Sequence, residues 1–144
     1  MRKRKVFGLE EVLEHRRSLE DAALAALSLR RQAYLKATRK LELLTIAKRG
    51  NDCNVPAIGQ AVSARDLRII DRHARLLDSA CAVQVESVAK READVESARD
   101  AAFVARRARK IIETLRDRRL ATIRAAENRA EQTELDEANQ ARRR

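Results

Sequence analysis

The sequence predicts an all-α fold, a long two-helix antiparallel coiled-coil hairpin in which the second helix overhangs the first at its C-terminal end. Three observations lead there. Breakers are nearly absent, with 3 Gly and 1 Pro in 144 residues. Charged residues make up 38% and aromatics 2%, a balance that suits long helices and leaves a globular core few large side chains to bury. Apolar residues recur at alternating three- and four-residue steps, which a disordered charged chain would not show.

Helix one is expected over about 9–49. Leu9, Leu13, Leu27, Tyr34, Leu41 and Leu44 share one face in heptad stepping, interrupted by Arg16, Glu20 and Arg30. The segment 50–59, GNDCNVPAIG, is the only turn-forming cluster, and Lys48 and Arg49 just before Gly50 suit a helix C-terminus. Helix two is expected over about 60–141, without Gly or Pro, on the order of 120 Å at 1.5 Å per residue. Its stripe reads Val62, Ile69, His73, Leu76, Ala80 and Val83. It then continues as Val88, Val95, Ala98, Ala102, Ala105, Ile112 and Ile123 after a change of phase that reads as a stutter. Neither helix can bury its stripe alone, so the two pair. With a turn centred near residue 55, position 9 is expected to meet about position 101, leaving an overhang of about forty residues of helix two.

The net charge is +10, which points to acidic partners: acidic protein surfaces, nucleic acid or anionic membrane. The charge is uneven. Residues 1–49 carry 13 Lys/Arg against 6 Asp/Glu, residues 50–104 carry 7 against 9, and residues 105–144 carry 12 against 7. A hairpin brings the two basic ends together and leaves a near-neutral tip. Cys53 and Cys81 have no metal-site spacing, and His15 and His73 are not placed to help, so they read as free thiols rather than ligands or a disulfide. No glycine-rich phosphate loop, Ser-His-Asp set or metal motif occurs, so no cofactor, small-molecule substrate or enzymatic activity is expected. No apolar run approaches the roughly 20 residues of a membrane span, and MRKRK is not followed by a signal-peptide core, which suits the cytoplasm. The basic start also fits a nucleic-acid arm with steep salt dependence, but no aromatic platform or reading helix follows it.

Motifs at both ends carry a resemblance. The run Ala126-Glu127-Asn128-Arg129, then Gln132, Leu135-Asp136-Glu137, Gln140 and Arg142, is similar to the closing signature of the FliJ family; Leu115 with Arg118 and Arg119 fits its basic, Leu-punctuated helix. Val6-Phe7-Gly8-Leu9, followed by Val12-Leu13, Arg16 and Glu20, resembles the family's opening. The middle of the chain matches only in length and helical character.

The resemblance implies a stalk-like helical hairpin of the flagellar type III export apparatus. It would sit against the hexameric export ATPase (FliI in the flagellar system), bind the export gate protein FlhA and escort export chaperones. It would be cytoplasmic and peripherally associated with the inner membrane through that apparatus. Carried over by position, the ATPase-binding residues are Arg118, Arg119, Glu127, Asn128, Arg129, Gln132, Asp136, Glu137 and Gln140. Those for the gate are Leu41, Leu44, Ile70, His73, Leu77 and Ala80. Where the family has tyrosines in the first helix, this chain has aliphatic or polar residues. Leu41 and Leu44 also read as plain seam residues, whereas Leu77, beside the stripe residue Leu76, is expected to point partly outward. The acidic groups of the arm look poorly placed for self-stabilisation, since Glu113 with Asp117 and Glu127 with Glu131 repel and Asp117 has no cation four residues on, which leans towards docking. The alternatives are the stalk protein of a virulence-type injectisome, with the same architecture, and a basic coiled-coil nucleic-acid binder.

Overall fold

The computed structural model describes the backbone of residues 3–143 and the side chains of residues 8–143, so Met1, Arg2, Arg144 and the side chains of residues 3–7, most of MRKRK with Val6 and Phe7, lie outside the described residues. Two helices account for nearly all of it: α1, Lys3–Cys53, and α2, Ala64–Arg142, with no strand among the described residues. The fold is all-α, with two long helices packed antiparallel.

α1 runs through Gly50, since a helical glycine costs only about 1 kcal/mol relative to alanine. What stops it is Pro56, which disfavours the helical conformation just before it. The last turn tightens, with Asn54 N–H donating to Asn51 O at 3.1 Å and Val55 N–H to Asp52 O at 3.3 Å. Cys53, expected in the loop, is the exposed last residue of the helix. Gly59 takes a φ of 96°, in a turn closed by Gln60 N–H donating to Ala57 O at 3.1 Å. Positive φ at the third position of such a turn calls for glycine. α2 begins four residues after the expected 60 because Ser63 caps it: its Oγ accepts from Arg65 N–H at 3.1 Å. Asp66 places a carboxylate in the first turn, where the helix dipole favours it.

The chain packs as two compact units. One takes in residues 23–101. Its seam is Ala23, Leu27, Tyr34, Ala37, Leu41 and Leu44 on α1 against Ile70, Ala74, Leu77, Cys81, Gln84, Val88, Val95 and Ala98 on α2, all buried or half-buried. Gln84, Leu27 and Leu77 lie deepest, at 7%, 8% and 9% exposed. Three polar contacts cross the seam: Arg30 Nη1 to Asp94 Oδ2 at 3.4 Å, Gln84 Nε2 donating to Ala37 O at 2.9 Å, and Lys48 Nζ to Asp78 Oδ1 at 2.6 Å. The hydrogen bond to Asp78 raises the Lys48 pKa, and the charge of Asp78 adds to it. As the residue number rises along α1 it falls along α2, which defines the antiparallel pairing.

The other unit joins the chain up to Ala22 with everything from Ala102 onward. Leu13, 1% exposed, and Ala102 are its deepest apolar residues. Around them Glu20 accepts from Arg109 Nε, Arg109 Nη1 donates to Glu113 at 2.7 Å, Arg17 approaches Glu113 at 3.9 Å, and Arg116 approaches Glu10 at 3.7 Å. The hydrogen bond to Glu20 is the main cause that raises the Arg109 pKa.

Three expectations need correction. First, Glu10 faces Arg116, so α1 meets α2 much further along than position 101; α1 extends to Cys53 and the overhang is shorter. Second, Glu20 and Arg30 do not simply interrupt the seam: each reaches across it to a charge on α2. Third, the first half of the α2 stripe is one residue out of place. Ile69, His73, Leu76 and Val83 are exposed, and the buried line runs through Ile70, Leu77 and Gln84. The steps 77–81–84–88–95–98–102 keep one phase, so no stutter falls between Val83 and Val88. Two successive four-residue steps occur later, Ile112–Arg116–Leu120, where the half-buried line shifts towards Ile123 and Glu127.

The two neighbouring leucines test this phase. Leu77→Ala opens a hole between the helices and is expected to cost about 2–3 kcal/mol. Leu76→Ala should stay within about 0.5 kcal/mol, as for an exposed position. Urea unfolding of both variants decides it, and equal losses would place the seam elsewhere.

Candidate functional site

The C-terminal part of α2 is a helix with every residue from Asn128 to Arg143 exposed. Its threonines turn inward onto their own backbone: Thr122 Oγ1 donates to Arg118 O at 3.0 Å and Thr133 Oγ1 to Arg129 O at 2.9 Å. Helical periodicity sorts the carried-over residues. Arg118, Arg129, Gln132, Asp136 and Gln140 stack along one face, at steps that return to the same angle. Arg119, Asn128 and Glu137 lie at its edges. Glu127 belongs to the opposite side, half-buried in line with Leu120 and Ile123, and has a partner of its own.

Two acidic groups that had looked unpaired have cations after all. Glu113 takes Arg109 from the preceding turn, and Asp117 accepts from Arg116 Nη2 at 2.9 Å. Neither cation stands four residues after its carboxylate. The segment is also not uniformly basic. Arg116, Arg118, Arg119 and Arg124 give way to Glu127, Glu131, Glu134, Asp136 and Glu137, with only Arg129 among them, before the arginines resume at Arg142.

In the unit of residues 23–101, five of the six residues carried over for the gate face the seam. Leu41, Leu44, Ile70 and Ala80 are half-buried and Leu77 is buried; only His73 is exposed. Leu77 thus does not point outward: it packs against α1, because the buried phase runs through 70, 77 and 84.

The outward apolar surface is another set. Ile69, Leu76 and Val83 on α2, with His73 between them, form a four- and three-residue stripe beside Ala80. Leu43 on α1, 61% exposed, stands on the back of its helix, two residues from the seam residue Leu41. The opposite side is an open groove where Tyr34 and Leu35 lie among Arg31, Glu92, Glu96 and Arg99. The signal for the outward stripe was present in the adjacent pairs Ile69-Ile70 and Leu76-Leu77, which offer one apolar residue to each side.

Among the described residues no group of His, Cys, Asp and Glu could hold a metal ion, and no helix is long and apolar enough to cross a membrane. Both candidate surfaces are convex stretches of helix, suited to contact with macromolecules. No curated protein matches the chain. The family model described as Flagellar FliJ protein matches residues 5–144, which takes in both helices and the whole exposed C-terminal segment. With two long antiparallel helices and a match of that extent, the chain belongs to the FliJ family of flagellar proteins.

Proposed function

We propose that the chain is a non-enzymatic stalk and adaptor of the flagellar type III export apparatus, working at the cytoplasmic face of the inner membrane. It links the export ATPase to the export gate and escorts export chaperones. Unbroken exposure from Asn128 to Arg143, on a helix that its own fold leaves uncovered, is the observation that supports this reading most directly. Arg118, Arg129, Gln132, Asp136 and Gln140 make the face that meets the ATPase, with Arg119, Asn128 and Glu137 at its rim. Glu127 on the opposite side anchors the base of the arm.

The gate surface is the outward stripe Ile69, His73, Leu76 and Val83. Leu41, Leu44, Ile70 and Leu77 hold the helices together behind it. This replaces the seam-facing set with residues whose apolar area is available to a partner.

Deleting residues 126–144 is expected to abolish binding to the export ATPase while the melting midpoint changes little, because no described residue beyond Glu127 is buried. Binding by the full chain should weaken as salt rises, since exposed charges are screened over about 10 Å at 0.1 M. Undiminished binding by the truncated chain would move the docking site elsewhere.

Leu76→Ala should weaken gate binding by about 1–2 kcal/mol if Leu76 is an anchor buried in the complex. Calorimetric titration of the gate's cytoplasmic part measures it. An unchanged affinity would remove the stripe from the interface.

A further inference from the structure

The unit that joins the chain up to Ala22 with Ala102 onward sorts its charges to one side. Arg17 meets Glu113, Glu10 meets Arg116, and Glu113 and Asp117 take Arg109 and Arg116. The other side of the same pair carries no acidic residue between its apolar stripes; its charges are Arg16, between Val12 and Leu19, and Arg119, four residues after Leu115. Val104, Ala108, Ile111 and Leu115 follow one another on α2 at four-, three- and four-residue steps, and Val12 and Leu19 stand opposite on α1. Ile111 is 54% exposed and Leu19 43%. Thr114, at the edge, donates its hydroxyl to Lys110 O at 2.9 Å in its own helix. Stepping of this kind is a second seam beside the first, with no helix in it.

The charges at its border indicate what fits. Arg107 and Arg118 bound the α2 edge, eleven residues apart on one line of the helix, and neither has a carboxylate partner among the described residues. Glu11 is the one acidic residue on the α1 edge. A second copy meeting this side with its own like side is a poor occupant, because the unit carries 18 Lys/Arg against 12 Asp/Glu and that side would bring only Glu11 to those arginines. An amphipathic helix with carboxylates about three turns apart, alongside an apolar stripe, would meet Val12, Leu19, Ile111 and Leu115 and pair with both arginines.

We propose that this side of the unit is a docking seam for one amphipathic α-helix of an acidic partner protein, completing a three-helix packing. It shares Arg118 with the proposed ATPase-binding face and otherwise uses different residues from the arm and from the outward stripe around Leu76. The helix would bury the Ile111–Leu115 stripe between α1 and α2, and Arg107 and Arg118 would set its direction.

The test uses the full chain and two labelled helical peptides of about twenty residues, with leucines at alternating three- and four-residue steps. One carries two glutamates eleven residues apart on one edge, and the other lysines there. Fluorescence anisotropy should show the glutamate peptide binding about tenfold or more tightly than the lysine peptide. Arg107→Glu should reduce or reverse that preference, and Ile111→Ser should weaken both peptides, with Leu19→Ser as a second apolar variant. Val85→Ser, an exposed apolar change on the charged side of the other unit, should leave binding unchanged. Equal binding of the two peptides, no effect of both Ile111→Ser and Leu19→Ser, or an equal effect of Val85→Ser would overturn the proposal. So would sedimentation of the chain as a dimer that Ile111→Ser converts to monomer, which would make a second copy the occupant.

Discussion

Register is the constraint on which the rest of this fold depends, and polar groups that cross the seam set it. Two helices lined by Ala23, Ala37, Ala74, Ala98, Ala102 and Ala105 can slide by a heptad with little change in the apolar area they bury. Glu20 with Arg109, Gln84 with the Ala37 carbonyl, and Lys48 with Asp78 are met together in only one register. Apolar replacements at such positions often lose no stability; what they lose is the choice among alignments, as at a polar core position of a coiled coil. That choice decides which α1 side chain stands beside which on α2, and so decides the composition of both outward surfaces.

The crossing pairs have a second effect. Arg17 with Glu113 draws charge to one side of its unit, and in the other unit Arg31, Glu92, Glu96 and Arg99 line one open groove. The composition is too polar for a globular core, yet the other side keeps Ile69, Leu76 and Val83 in one unit and Val104, Ile111 and Leu115 in the other exposed. Each unit, taken by itself, has one side that satisfies itself and one that does not. The unsatisfied side is where contacts with other helices are favourable, since apolar area remains there to be removed from water.

The helices, their antiparallel pairing and the family were legible because the breakers cluster in one place and both ends carry recognisable motifs. The phase of α2 was not. Ile69-Ile70 and Leu76-Leu77 satisfy two stripes equally, and Val83 next to Gln84 favours the wrong one on hydrophobicity alone. Gln84 is buried because its amide finds a carbonyl on α1, a long-range contact no local pattern contains. From that one-residue slip followed the apparent stutter and the misplacement of Leu77, because a shifted phase turns neighbouring residues to different sides. The start of α2 was legible but unread: Ser63 followed three residues later by Asp66 is a capping signature, and it outweighed the absence of breakers after Gly59.

The exposed arm shows why a helix with no packing of its own can still be a firm docking element. Helix formation is limited by nucleation, and an isolated segment of this length would be marginal in water. The arm, however, continues α2, whose earlier turns are held by Ile112, Arg116 and their partners on α1, so each further residue adds only a propagation step. Ala, Arg, Glu and Gln dominate it, all good helix formers, and its threonine hydroxyls are taken up by its own carbonyls. Order is thus borrowed from the seam, while the side chains beyond Glu127 stay uncommitted. A partner that closes on the arm meets an already formed helix and loses less entropy in ordering it than it would with a disordered tail.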